Sequence, residues 1–330
     1  MEPDFSARIK KLRKFVGEKV DKVLVTDTSD IFYYSGYRPI EQGFMSIDFH
    51  SKPRLFLSPL ENEAARLKQL KVVFLNEKGL VSKEIRGFTV GFDENSMNVA
   101  HYNVLRKKAK LRPVSDLLKK PRMVKDGYEI EQIKRAVKIT KKIFSELSIN
   151  GKTEIDVEKE IKKGIAENGL EKSFDPIVAS GKDSFFIHYK PGKARIKRGF
   201  LIIDFGVKFN GYCSDITRTF LVKASSRERK IYEDVGWMQG EIIDKIREGL
   251  SPKSVQKFYE GLMRKKGYKV WHSFGHGVGL DIHEPLGSKL VENMVLTVEP
   301  GVYIENTGGC RIEDMVLVKK GRAKILSKPL

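Results

Sequence analysis

The amino-acid sequence predicts a mixed α/β (α+β) chain of two domains. A small mixed-sheet domain is expected over residues 1–120, and a larger domain over 121–330 whose halves share a pseudo-twofold. Three observations carry this. Helical and strand periodicities alternate through the N-terminal part, the pattern of a small α/β layer structure. Beyond residue 121, a helix pair followed by glycine-punctuated strands occurs twice. Acidic residues sit beside apolar, strand-like runs at matching places in both halves, as in LIIDFG around Asp204.

In chain order, residues 5–20 place Phe5, Ile9, Leu12, Phe15 and Val16 on one helical face. Strands are expected at Lys22–Thr26, Arg54–Leu57, Val72–Leu75 and Phe88–Phe92, with a helix at Glu61–Leu70. The pattern breaks at Pro121, and a new helix begins near Asp126. It runs through Ile130, Ile133, Val137, Thr140, Phe144 and Leu147 at helical spacing. Thr153 can cap the next helix, with Asp156 supporting its first turn, and Gly169 ends it. In the second half, Ser225 with Glu228 forms a capping-box pattern ahead of Ile231, Val235, Met238, Ile242 and Ile246. Ser251-Pro252 starts the partner helix and Gly267 ends it. These apolar stripes are core.

Composition narrows the function classes. With 40% hydrophobic and 32% charged residues the chain reads as globular, and no apolar run is long enough to span a membrane. The N-terminus MEPDFSARIKKLRKF lacks the apolar segment of a secretory signal, and two cysteines make no disulfide framework. A cytoplasmic protein is expected, with Cys213 and Cys310 as small core residues. The net charge of +19 raises nucleic acid as a partner. The excess is spread evenly, however: 23 basic against 15 acidic side chains in residues 1–120, and 39 against 28 in 121–330. Such a distribution argues for solvated helix faces rather than a nucleic-acid footprint.

The repeat extends to the polar residues. His188 precedes Asp204 by 16 positions, and His283 precedes Glu299 by 16. Gly206 and Gly301 each follow their acid by two. GYCSDITRTFLV then carries Asp215 and GGCRIEDMVLV carries Glu313. Singly, Asp204 could cap a turn and Glu299 could end a strand in solvent. Together, a pseudo-twofold would gather four carboxylates at one centre, where like charges in a poorly polarisable interior cannot all remain bare anions. Either several are protonated or divalent cations neutralise them. WHSFGHGVGLDIHE holds three of the six histidines, His272, His276 and His283, and supplies an imidazole for a mixed O/N shell.

Taken in this order and spacing, DFG, Asp215, GHGVGLDIHE, TVEPG and RIED resemble the metallopeptidase family with the pita-bread fold. That family holds methionine aminopeptidases, Xaa-Pro aminopeptidases and Xaa-Pro dipeptidases (prolidases). The likeness extends to the N-terminal domain, where SDIFYYSGYRP is similar to the proline-specific members. The resemblance implies a creatinase-like N-terminal domain, a pita-bread catalytic domain, and hydrolysis of Xaa-Pro bonds by a hydroxide bridging two divalent metals. Matched position by position, it implies that Asp204 chelates one metal and that His276 and Glu299 bind the other. Asp215 and Glu313 bridge the two. Glu299 doubles as the proton carrier, and His188 and His283 contact the substrate and its oxyanion. His272 and Arg311 match substrate-binding positions of the proline-specific branch. The implied cofactors are Mn or Co first, with Fe or Zn as alternatives, since one imidazole and four carboxylates accept them all. The implied partners are short proline-containing peptides and a second copy of the chain.

The sequence departs from the prolidase pattern in one place. PLGSKLVENMVL, between the HE and TVEPG motifs, carries Lys289 where prolidases often have an arginine for the dipeptide's carboxylate. Dipeptidase and aminopeptidase therefore both stand. Alternatives are a same-fold metallopeptidase or amidohydrolase with other substrates, or a catalytically inactive binding member.

Overall fold

The computed structural model describes residues 2–328, which divide into two compact units, the first ending at Arg122 and the second beginning at Met123. The first unit is built on a six-stranded mixed sheet. Its strands are β1 (Lys22–Val25), β2 (Phe44–Asp48), β3 (Arg54–Leu57), β4 (Lys71–Phe74), β5 (Thr89–Phe92) and β6 (Lys110–Pro113), in the order β4-β3-β2-β1-β5-β6. The β1–β2 and β2–β3 pairs are antiparallel, the other pairs parallel. Helices α1 (Phe5–Val16), α2 (Thr28–Ser35), α3 (Leu80–Ile85), α4 (Val99–Leu105) and α5 (Ser115–Met123) accompany it. Leu24, Phe44, Phe56, Ile85, Val90 and Phe92 form one of its apolar clusters.

Three expectations for this unit need correction. The first helix stops at Val16, because Gly17 turns to φ +59°, and Phe15 faces solvent at 38% exposure while Arg8, Leu12 and Val16 are buried. Glu61–Leu70 is no α-helix: Pro59–Arg66 is 3₁₀ in character with Glu61 outside helical geometry. The cause is tertiary. Glu61 is buried and accepts the Tyr37 hydroxyl and the Ile40 amide, both at 2.9 Å. Finally, Pro121 does not end structure, since α5 runs through it. A proline strips a helix of a bond. Here the last turn is held from outside instead, by Tyr34 Oη on the Leu118 carbonyl and by Lys11 and Tyr33 on the Pro121 carbonyl.

The second unit repeats itself. Its first half has α6 (Gly127–Glu146), α7 (Glu154–Glu167), β7 (Glu171–Lys172), β8 (Ile177–Ser180), β9 (Gly199–Phe205), β10 (Val207–Phe209), β11 (Tyr212–Cys213) and β12 (Ile216–Val222). The second has α8 (Ser226–Lys245), α9 (Pro252–Lys265), β13 (Val295–Val298), β14 (Gly301–Ile304), β15 (Gly308–Arg311), β16 (Asp314–Leu317) and β17 (Lys324–Ile325). The capping boxes at Asp126, Thr153 and Ser225 form, each side chain accepting an amide of the first turn while the third residue's carboxylate returns to the cap. In each half a long antiparallel pair makes the frame. Strand β9 pairs with β12, with Asp204 opposite Thr217, and β13 pairs with β16, with Val298 opposite Asp314. The α8–α9 pair covers the second with Ile231, Val235, Met238, Ile242, Val255, Tyr259 and Met263, packed on Leu296, Val298 and Val316. No helix among the described residues is long and apolar enough to cross a membrane.

Candidate metal centre

Every acid of the expected set lies at a strand end or just beyond one. Asp204 is the penultimate residue of β9, every residue of which is buried. Asp215 immediately precedes β12, Glu299 follows β13, and Glu313 precedes β16, so corresponding ends of the two paired frames deliver the four acids. Rigid strands with filled surroundings hold these side chains without help from a loop. Gly206 makes the approach possible: a Cβ there would stand 1.7 Å from the Ser214 carbonyl oxygen, so only glycine lets the two acid-bearing segments come together. In the second half, a Cβ on Gly301 would strike Tyr303 and come within 2.7 Å of His272 Nε2.

Ligand atoms of Asp215, His276 and Glu313 all lie within 4.8 Å of one another. His276 Nε2 is 3.5 Å from Asp215 Oδ2 and 3.6 Å from Glu299 Oε1. The other ring nitrogen, Nδ1, donates to the Gly277 carbonyl at 3.1 Å, which puts the proton there and leaves the Nε2 lone pair facing the acids. Asp204 is only 7% exposed; its Oδ2 accepts Arg311 Nη2 at 2.7 Å, while its buried Oδ1 has no hydrogen-bond partner.

Asp204, Asp215 and Glu313 are buried and Glu299 half-buried, and three of the four resist ionisation. Burial, then Glu313, Asp204 and Glu299, hold Asp215 well above the usual carboxylate range. Burial, then Glu299 and Asp204, do the same to Glu313. Glu299 is pushed up to about 7 by burial and Asp204, against the pull of Arg311 and Thr297. His276 is lowered to about 4 by burial and His283, so it is neutral near pH 7. An orphaned carboxylate oxygen, acids that resist ionisation, and an imidazole lone pair aimed at them together fit divalent cations with O/N ligands. Of the expected ligands, the structure gathers Asp215, His276 and Glu313 into one cluster, and Asp204 and Glu299 line the same cavity.

The remaining expected residues line the same cavity, of ≈ 790 Å³, which also takes in Phe174, Ile187 and Ile282. His283 stands against His276, ring centroids 4.1 Å apart and nearly perpendicular. His188 reaches the cavity from the exposed loop after β8. His272 and Arg311 are less open than a substrate contact would suggest. Arg311 is 3% exposed, and besides Asp204 it donates to Tyr303 Oη at 2.8 Å and Thr217 Oγ1 at 3.2 Å. Tyr303 Oη lies 3.1 Å from His272 Nε2, and His272 Nδ1 lies 2.9 Å from the Ser273 carbonyl. Because a carbonyl only accepts, His272 is protonated on Nδ1, and Tyr303 must donate to its Nε2. Burial lowers His272 to about 4.

Two members of this network were not singled out from the sequence. Thr217 donates to Glu313 Oε2 at 2.8 Å. Its signal was there: Asp215, Thr217 and Thr219 alternate with Ile216, Arg218 and Phe220, placing three polar groups on one strand face. Tyr303 offered less, a tyrosine in an apolar strand that needs a partner for its hydroxyl. Outside the cavity, Gln239 on α8 donates to the Val298 and Ile312 carbonyls, the residues immediately before Glu299 and Glu313. Cys213 and Cys310 are buried free thiols pushed up by burial to about 11 and about 12, inert core residues.

The sequence pattern of metallopeptidase family M24 matches residues 131–320, and that of the creatinase/prolidase N-terminal domain matches residues 8–124. A protein of Pyrococcus furiosus described as Xaa-Pro dipeptidase is 34% identical over 340 aligned residues, covering 97% of each chain. The crystal structure of the Pyrococcus horikoshii OT3 prolidase superposes with a TM-score of 0.90 at 31% identity, covering 98% of this chain and 99% of its own. That of the Thermotoga maritima MSB8 X-Pro aminopeptidase gives 0.86 at 27% identity, covering 98% of both. The chain therefore belongs to metallopeptidase family M24, and its catalytic unit has the pita-bread fold. As a metallopeptidase it is a hydrolase.

Proposed function

We propose that this chain hydrolyses Xaa-Pro peptide bonds with two divalent metal ions held by Asp204, Asp215, His276, Glu299 and Glu313. The observation that carries the reading is the cluster of Asp215, His276 and Glu313 in a cavity that Glu299 and Asp204, the latter with a buried unpartnered oxygen, also line. Similarity to an Xaa-Pro dipeptidase and to prolidase structures supports the choice of substrate.

When bound, divalent metals supply Lewis acidity toward the scissile carbonyl and make water acidic enough to attack near neutral pH. The protein's own groups do the rest. Glu299, a carboxylate bordering the cavity, is placed to take a proton from the attacking water and return it to the leaving nitrogen. Proline demands that return, since its ring nitrogen must depart as a secondary amine. His283 and His188 border the cavity as donors to the carbonyl oxygen as it gains charge. Arg311 and Tyr303 hold Asp204 and His272 in place rather than gripping substrate.

For a dipeptide's carboxylate, Lys289 is not among the lining residues. Besides Arg311, the lining cations are Lys162 and Lys190. We assign the carboxylate to this pair, which supports dipeptidase activity; the roomy cavity favours the aminopeptidase as the second reading. The protein should be loaded with Mn²⁺ or Co²⁺ and given Xaa-Pro dipeptides beside Xaa-Pro-Yaa tripeptides. Cleavage of dipeptides alone supports the first reading, and efficient tripeptide cleavage supports the second. Hydrolysis should vanish in Glu299→Gln and Asp204→Asn while the fold remains; full activity in both would sink the metal-ligand assignment. A homodimer, carried by the family resemblance, is tested by light scattering.

A further inference from the structure

His188 enters the cavity from a span that no regular strand holds: β8 ends at Ser180, a 3₁₀ turn covers Gly181–Phe185, and β9 begins only at Gly199. Ile187, His188, Tyr189, Lys190 and Pro191 of this span all line the cavity. What fixes them is not obvious from their own surroundings, because His188, Lys190 and Phe186 are exposed.

The two ends of the span meet on one carboxylate. Glu154, in the first turn of α7, is 0% exposed. Its Oε1 accepts the Ser180 amide at 2.7 Å and the Ser180 hydroxyl at 2.8 Å, and its Oε2 accepts the Gly192 amide at 3.0 Å. Within the span, the Tyr189 hydroxyl donates to Asp183 at 3.3 Å. The backbone beside it reinforces the junction: Glu154 N–H donates to the Ala194 carbonyl at 3.1 Å, and Ile155 N–H to the Gly192 carbonyl at 3.0 Å. A buried carboxylate is tolerable only when donors satisfy it, and here the donors, Ser180 and Gly192, come from the neck of the His188 span.

We propose that Glu154 is a positioning residue for His188, its carboxylate cinching Ser180 to Gly192 so that the intervening span presents His188 to the cavity. This rests on the Xaa-Pro peptidase reading for its kinetic consequence, though not for its structural one. Glu154 touches neither the substrate cavity nor any of the five metal-holding side chains, so its effect must pass through the span. The geometry distinguishes it from buried Glu284, which accepts the Leu280 amide in the loop carrying His276 and His283, whereas Glu154 serves the span carrying His188.

The test is a double-mutant cycle on the metal-loaded full chain. Glu154→Gln keeps the volume but presents an amide where only donors converge. It should lower kcat/KM roughly 10- to 100-fold, the loss typical of outer supporting bonds, with metal content by mass spectrometry unchanged. In a His188→Ala background the same substitution should change kcat/KM by less than about twofold, because the group it positions is gone. A full additional loss in that background overturns the proposal. Ser180→Ala, which removes the hydroxyl bond to Glu154 without disturbing the charge, should show a smaller loss with the same non-additivity. It serves equally if Glu154→Gln fails to fold, and additivity there also overturns the claim. Hydrogen exchange of residues 185–190 provides a readout that needs no substrate: exchange should rise in Glu154→Gln and stay unchanged at the strand ends carrying Asp204 and Glu313. Unchanged exchange in the span refutes the positioning role even if no Xaa-Pro peptide is cleaved, whereas an inactive wild type with the exchange result intact refutes only the peptidase reading.

Discussion

The environment of His272 makes a signed prediction about stability and pH. The ring is half-buried, its Nδ1–H is committed to the Ser273 carbonyl and its Nε2 to the Tyr303 hydroxyl, and the buried Arg311 guanidinium lies just beyond. Burial first, and then the Arg311 cation, disfavour the charged ring, so folding lowers the histidine from its ordinary 6.5 to about 4. The folded state then binds fewer protons than the unfolded state between those values. Stability from this group is full above about pH 6.5 and is lost as pH falls toward 4. At ~1.4 kcal/mol per pKa unit, the loss is about 2 kcal/mol by pH 5 and about 3 kcal/mol in full. The perturbation is His272→Gln, which cannot titrate. Both proteins are unfolded in urea with chelator present throughout, so that acid release of metal does not enter. Tryptophan fluorescence is a suitable probe because both tryptophans, Trp237 and Trp271, lie in the catalytic unit. The stability advantage of wild type over His272→Gln should shrink by about 2 kcal/mol between pH 7 and pH 5. A constant or widening difference would show that His272 is not held neutral by burial, and the assigned Tyr303-to-His272 bond would fall with it.

Further outcomes follow from particular contacts. Lys125 and Glu284 form a buried ion pair at 2.7 Å, and Glu284 also accepts the Leu280 amide at 3.0 Å. Lys125→Met should cost roughly 3–5 kcal/mol by urea unfolding, with Glu284→Gln restoring part of it, because the single change leaves a buried charge without its counterion. Gly206→Ala should abolish stoichiometric metal uptake, measured by titration calorimetry, since its Cβ would collide with the Ser214 carbonyl beside Asp215; normal uptake would contradict the close approach of the two segments. Lys190→Ala should raise KM for Xaa-Pro dipeptides by roughly fivefold, as expected for an exposed ion pair worth ~1 kcal/mol. It should leave C-terminally amidated dipeptides unaffected, and an equal effect on both would remove Lys190 from the carboxylate site.

Much of the catalytic unit was legible because its information is local or repeated. Helices announced themselves by caps such as Ser225 with Glu228, and these boxes formed where the residues stood. The acids were conspicuous for lying beside apolar strands, and the equal spacing of His188 to Asp204 and His283 to Glu299 exposed the repeat. In the first unit the same reading misplaced Glu61–Leu70, whose helical pattern gave way once Glu61 was drawn inward to Tyr37 and Ile40. It also stopped at Pro121, where side chains from α1 and α2, distant in sequence, capture the carbonyls of the last helical turn.

What the amino-acid order determined by itself, then, was the kinds of group available and the two frames that carry them, since capping, periodicity and the incompatibility of bare acids with apolar strands all act over short distances. Only the tertiary structure decided how those groups are held. That Arg311 bonds Asp204, that Tyr303 donates to His272, and that Glu154 gathers both ends of the His188 span depend on contacts between residues from 8 to 107 positions apart. Burial makes those contacts obligatory, because a charge or hydroxyl removed from water must find its partner wherever the packed chain brings one.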